Sequence, residues 1–154
     1  MKKKADIPSV MIYTDGSANN VYDGGWAASI YWQDQALHLT GNELNTTNNR
    51  MELLAVIEAL SALIVPCNVE LYSDSKYVLT GIEGYVYTWE KNGWRSSSGT
   101  PVANVDLWQR LLPLLKIHNL SCFWVHGHQG NVRNEIVDSL AVTTRKQLSE
   151  SNLY

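Results

Sequence analysis

Apolar and polar positions change their period along the chain, and each change marks an element. Residues 9–15, Ser-Val-Met-Ile-Tyr-Thr-Asp, are β-branched and aromatic and predict a first strand that Gly16-Ser17 stops. Residues 24–32 and 35–40 predict two more strands, joined by a hairpin at Asp34. From 48 to 64 the period lengthens: Leu53, Val56, Ile57, Leu60, Leu63 and Ile64 recur at steps of three and four. That is a helix, capped by Thr47 or Asn48 and followed by Pro66. Residues 69–73 predict a short strand, and 75–82 a short helix that stops near Gly84, with a second short helix after it. Residues 91–101 form a loop, 104–117 a helix with Pro113 as a kink, and 121–125 a strand. A glycine-bearing loop over 127–132 leads to a last helix over 134–148.

The order is β-β-β-α-β-α-(α)-α-β-α. Neighbouring strands at the start suit an antiparallel meander, while strands separated by helices suit parallel crossovers. The expected fold class is α/β: one mixed five-stranded sheet with helices on both faces. The expected organisation is a tail over 1–8, a single domain over 9–148 and a tail over 149–154. A chain of 154 residues, 45% apolar and 18% charged, is long enough for one core without disulfides. No apolar run approaches the roughly 20 residues that span a bilayer, and the lysines after Met1 are not followed by an apolar segment. No membrane association is expected. Cys67 and Cys122 are isolated and lack CxxC spacing, which fits reduced core thiols in a cytoplasmic protein. The net charge of −3 speaks, by itself, against a nucleic-acid partner.

Acidic residues stand where chemistry can use them. Asp15 ends the first predicted strand and Asp74 the fourth, and sites in open α/β sheets form beyond such strand ends. Glu52 and Asp138 lie early in helices at the margin of apolar faces. Each has a plainer reading. Asp15 suits a turn, Asp74 a helix cap, and Glu52 and Asp138 a first turn favoured by the helix dipole. Crowded together, however, such carboxylates repel, and their ionised forms need a compensating cation. Hard oxygen ligands suit Mg²⁺ or Mn²⁺. Two such ions about 4 Å apart can activate water and stabilise a leaving oxygen in phosphodiester cleavage.

Several longer motifs surround these acids. Tyr13-Thr14-Asp15-Gly16-Ser17, Thr46-Thr47-Asn48-Asn49-Arg50-Met51-Glu52-Leu53 and Ser73-Asp74-Ser75-Lys76-Tyr77-Val78 resemble type 1 ribonuclease H, as its bacterial members have it. So do Asn104-Val105-Asp106-Leu107-Trp108-Gln109-Arg110-Leu111, Trp124-Val125-His126-Gly127-His128 and Asn134-Glu135 followed by Asp138. The resemblance implies the ribonuclease H-like fold and hydrolysis of the RNA strand of an RNA/DNA hybrid, leaving 5′-phosphate and 3′-hydroxyl ends. It implies that Asp15, Glu52, Asp74 and Asp138 hold two Mg²⁺ ions, with Mn²⁺ as a substitute, and that His128 assists proton movement or product release. A histidine on a glycine-flanked loop suits that work. Asn48 and Asn49 match positions that read the RNA 2′-hydroxyl, and an amide both donates and accepts. Thr47 matches a contact to the DNA phosphate, and Lys76 another substrate-facing position. Residues 84–103 correspond to a substrate-binding protrusion carrying Tyr85, Trp89, Lys91 and Arg95. Tyr85 matches a position lining the DNA-strand channel, while Trp89 and Trp94 suit the protrusion's packing base. An RNA/DNA hybrid is the implied partner, bound by a monomer with no obligatory protein partner.

The chain also departs from the family pattern. Residues 18–25 lack the proline and most glycines common there, and Asn45 stands where many members have arginine. Residues 81–110 carry Lys91, Arg95 and Arg110 against Glu83, Glu90 and Asp106, a net charge of zero. Gly99, Thr100 and Ala103 stand where relatives often have lysines. With the four assigned acids offset by two divalent ions, 12 basic residues face 11 acidic ones. The acidic balance then concerns how tightly a hybrid is held, not whether it binds.

Overall fold

The computed structural model describes residues 6–19, 23–126 and 130–151. Its strands are β1 (Ser9–Ala18), β2 (Gly24–Trp32), β3 (Gln35–Glu43), β4 (Asn68–Ser73) and β5 (Asn119–Trp124). They form one five-stranded sheet in the order β3-β2-β1-β4-β5. β1 pairs antiparallel with β2, and β2 with β3; β4 is parallel to β1, and β5 to β4. This is the expected mixed sheet. Short connections give its antiparallel half and helical crossovers its parallel half.

The helices are α1 (Asn48–Ser61), α2 (Lys76–Thr80), α3 (Val86–Lys91), α4 (Val105–Ile117) and α5 (Val132–Ser151). α1 is buried along most of its length because it lies between the sheet and α4. Ile12, Ile30 and Leu71 from the sheet, Leu53, Ile57 and Leu60 from α1, and Trp108 and Leu111 from α4 share this core. Each such side chain contributes about 1.5–3 kcal/mol by leaving water. α5 covers the other face, where Val137 and Ala141 meet Tyr13 and Ala27.

Several boundaries differ from the sequence reading. β1 does not stop at Gly16-Ser17 but continues, pairing Gly16 with Trp26 and Ala18 with Gly24. Gly16 marks a close approach instead of a turn: a Cβ there would strike the backbone of Met51 and Glu52. β3 runs on to Glu43, and β5 begins at Asn119 and ends at Trp124. The two short helices are not separated near Gly84. A π-helical turn, Gly81–Tyr85, joins α2 to α3, and a Cβ on Gly81 would meet the Trp108 indole. α4 passes through Pro113 without a break. α5 starts at Val132 and reaches Ser151, three residues past the expected end at Leu148. No helix among the described residues is long and apolar enough to cross a membrane.

His118 ties the end of α1 to the start of β4. Its Nδ1 accepts from the Cys67 backbone N–H at 3.1 Å, and the Leu60 carbonyl is its other partner. Burial holds its pKa below the ordinary value, so the folded chain favours neutral imidazole. As pH falls below about 6.5 the unfolded chain takes up this proton first. The stability contributed by His118 is therefore present above that pH and lost as pH falls toward the folded value. His118→Gln is expected to flatten the change in urea-unfolding free energy between pH 7 and 5, and to cost about 1 kcal/mol at pH 7. An unchanged pH slope would refute this role.

Candidate active site

β1 and β4 are parallel neighbours in register up to Tyr13 and Tyr72, so Asp15 and Asp74, each two residues further on, emerge side by side. Asp15 lies on β1, and Asp74 directly follows Ser73, the last residue of β4. The close packing of α1 on Gly16 brings Glu52 to the same edge. Carboxylate oxygens of Asp15, Glu52 and Asp74 all lie within 4.8 Å of one another. Asp15 is 4% and Glu52 8% exposed, while Asp74 is half-buried. Asp138 approaches from α5, is half-buried, and shares a hydrogen bond with Asp15.

The cluster is electrostatically unfavourable without a cation. Burial pushes the Asp15 carboxyl up to about 7; a hydrogen bond from Glu52 opposes this, while the charges of Asp74 and Asp138 add to it. Glu52 is raised well above the ordinary carboxylate range, first by burial and then by Asp15 and Asp74. Glu52 Oε2 is buried with no hydrogen-bond partner. An unsatisfied buried oxygen amid hard anionic oxygens suits a divalent cation of the Mg²⁺ or Mn²⁺ type.

The sequence profile of the RNase H family matches residues 8–146. The chain belongs to the ribonuclease H family. A ribonuclease H from Bradyrhizobium diazoefficiens is 49% identical over 138 residues, covering 89% of this chain and 90% of that protein. One from Rhodopseudomonas palustris is 48% identical over 151 residues, covering 97% and 96%. Among solved structures, LC9-RNase H1, described as a type 1 RNase H with the type 2 active-site motif, superposes with a TM-score of 0.83 at 29% identity. That match covers 92% of this chain and 74% of that one. As a ribonuclease H the chain is a hydrolase and an endonuclease.

The remaining predicted site residues fall into two groups. Thr47 caps α1, its Oγ1 accepting from the Arg50 backbone N–H at 3.2 Å. Asn48 Oδ1 accepts from the Ala18 backbone N–H at 2.6 Å, so the group it offers a ligand is its Nδ2 amide. Asn48 and Asn49 are exposed one helical turn before Glu52. Lys76 opens α2, two residues after Asp74. Tyr85 lies in the π-helical turn, Trp89 and Lys91 on α3, and Arg95 in the loop that follows it. Tyr85 stacks on Trp89 at 5.9 Å, and Trp89 meets Trp108 edge-on at 5.3 Å. Trp89 and Trp94 both pack against the core, as a packing base requires. Arg95 Nη1 donates to the Gly99 carbonyl at 2.9 Å, and Gly99 has φ +85°, so a lysine at Gly99 would be strained. His128 lies outside the described residues.

Two contributors had no role in the sequence reading. Arg50 forms a two-pronged pair with Asp106 at 2.9 and 2.8 Å, fixing the start of α1 to the start of α4. Trp124 donates from Nε1 to the Asp74 carbonyl at 3.2 Å. Both residues sit inside the motifs quoted above. Opposite charges in the first turns of two predicted helices were the available signal for the first; nothing in the sequence pointed to the second.

Proposed function

We propose that the chain is an endoribonuclease hydrolysing the RNA strand of RNA/DNA hybrids. The observation that carries this is the convergence of Asp15, Glu52 and Asp74 within 4.8 Å, with a buried carboxylate oxygen left unsatisfied. In this reading these acids and Asp138 hold two divalent ions, Mg²⁺ in the first place and Mn²⁺ as substitute. When bound, such ions supply a polarised water and charge compensation at phosphorus. The water oxygen bonds to phosphorus, the bond to the 3′-oxygen breaks, and the products carry 5′-phosphate and 3′-hydroxyl ends. Asp15 and Glu52 give up their shared proton to become ligands. Asn49 and the Asn48 amide face the 2′-hydroxyl, which lets the site tell RNA from DNA. Thr47 and Lys76 contact phosphates beside the acids. Tyr85, Trp89, Lys91 and Arg95 receive the DNA strand, and His128 assists proton movement or product release.

The test is a panel of labelled RNA/DNA hybrid, RNA duplex and DNA duplex with Mg²⁺ or Mn²⁺ over a salt series. Cleavage confined to the RNA of the hybrid is expected. Preferential cleavage of the DNA duplex would overturn the reading. Three basic side chains already face acids: Arg50 pairs with Asp106, Arg110 with Glu58 and Lys116 with Glu90. A shallow dependence of hybrid affinity on salt is therefore expected. Lysines at the exposed positions Ser97 and Ala103 should each steepen the log–log slope by about one unit. They should lower KM more than they change kcat. A wild-type slope already as steep as that of a lysine-rich relative would refute the expectation.

A further inference from the structure

We infer that Trp124 is a positioning residue, fixing the main chain of Asp74 and, through it, the reach of that carboxylate into the acidic cluster. The inference rests on reading the cluster as a metal-dependent hydrolytic site.

Asp74 stands just beyond the β4 ladder, in the tight turn between β4 and the five-residue helix α2. A turn of this kind needs outside restraint if its side chain is to hold a fixed place. The restraint comes from the end of β5. The Val125 backbone N–H donates to the Ser73 carbonyl at 3.0 Å, extending the ladder by one bond. The Trp124 indole N–H then donates to the Asp74 carbonyl at 3.2 Å. Lys76 Nζ lies 4.3 Å from the centroid of the same indole. Within the turn, Ser73 Oγ accepts from the Ser75 backbone N–H at 3.0 Å. Ser73, Asp74 and Lys76 are thus held from one side by Trp124 and Val125, at and just past the end of β5.

The character of Trp124 separates positioning from packing. It is 42% exposed, so core burial does not account for it. The Asp74 carbonyl lies at the sheet edge, where water could satisfy it. A water would not fix its direction. An indole N–H is carried on a rigid ring with few rotatable bonds, so its hydrogen bond sets the orientation of the peptide it meets. Loss of this anchor would leave the Asp74 main chain free to shift within the turn, and a shift of its Cα would carry the carboxylate away from Asp15 and Glu52. The lysine beside the acids is held on the same ring.

Trp124→Phe removes the donor and keeps an aromatic face for Lys76. Mn²⁺ binding is measured by electron paramagnetic resonance on the folded chain without nucleic acid, with a urea melt to confirm folding. Affinity is expected to fall about threefold to tenfold, the size of one lost hydrogen bond. In hybrid cleavage, kcat at limiting Mn²⁺ should fall by a similar factor and recover in excess Mn²⁺, with KM for the hybrid within about twofold of wild type. Phe123→Leu, the adjacent exposed aromatic of β5, should leave Mn²⁺ affinity at the wild-type value. Wild-type affinity in folded Trp124→Phe overturns the inference. So does an equal loss in Phe123→Leu, because general loosening of β5 would then be the cause. Should the phenylalanine variant not fold, Trp124→His, which keeps a ring N–H, is compared with Trp124→Leu; equal affinities overturn the inference. If wild type binds Mn²⁺ yet leaves hybrid uncut, the proposed function fails, while the Mn²⁺ comparison still decides the role of Trp124.

Discussion

Asp74→Asn is expected to abolish metal-dependent cleavage, by more than roughly a thousandfold, while leaving the fold intact. The amide keeps the shape of the side chain and removes its charge. Asp74 is half-buried and lies outside the core, so little packing is lost. The same substitution should raise the metal-free stability. Asp15 is carried from an ordinary 3.8 up to about 7, and the Asp74 charge adds to that rise. A raised carboxyl means that the folded chain keeps a proton which the unfolded chain has already released. Between about 4 and 7 the site's contribution to stability therefore falls as pH rises. Removing the Asp74 charge relieves part of this cost, so the thermal midpoint in EDTA at pH 8 should rise by about 2–5 °C. Calorimetry and a hybrid-cleavage assay read the two halves separately. Normal turnover would sink the catalytic assignment; a lowered midpoint would sink the electrostatic account. Metal affinity should also increase as pH rises toward 7, because binding displaces the shared proton.

The parts of this site that were legible in the sequence are those that depend on local pattern. A β-branched run ending in aspartate announces an acid at a strand end; this is so for Asp74, just past β4, whereas β1 continues three residues beyond Asp15. The order of short and helical connections announces which strands are parallel, and so which acids share an edge. What was not legible depends on contacts between distant segments. Gly16 reads as a strand stop, because a turn glycine and a close-approach glycine look the same in one dimension. Its partner is the α1 backbone, more than thirty residues later. Gly81 repeats the lesson: the chain passes Gly84 as a π-helical turn instead of breaking there, and a Cβ on Gly81 would meet the Trp108 indole. The pairing of Arg50 with Asp106 and of Trp124 with Asp74 leaves no periodic trace. Repulsion among the acids could be foreseen, but the burial that raises Glu52 most could not, since it depends on how α1 seats against the sheet.

Gly16→Ala is expected to combine a loss of stability with a loss of turnover that extra metal does not recover. The new methyl would be directed at the Glu52 backbone nitrogen and at the backbone and Cβ of Met51. Helix backbone cannot step aside as the end of a flexible side chain can, so α1 must move as a body or β1 must bend. Forced overpacking of this kind costs about 1–3 kcal/mol. The functional effect follows from what the two elements carry. β1 holds Asp15 and α1 holds Glu52, and their oxygens are part of a cluster spanning 4.8 Å. Displacing one element by about 1 Å is enough to cost about a hundredfold in rate when reacting groups are aligned to that tolerance. Excess Mn²⁺ restores occupancy but not spacing, which distinguishes this variant from one that only weakens metal binding. Gly84→Ala is the matched control. Nothing lies within 4 Å of a Cβ at that position, and the residue is exposed in a helical stretch. Alanine there should be neutral or stabilising by about 0.5–1 kcal/mol, with activity unchanged. If Gly16→Ala matched Gly84→Ala in urea midpoint and in kcat, the tight seating of α1 on β1 would not be what sets the distance between Asp15 and Glu52.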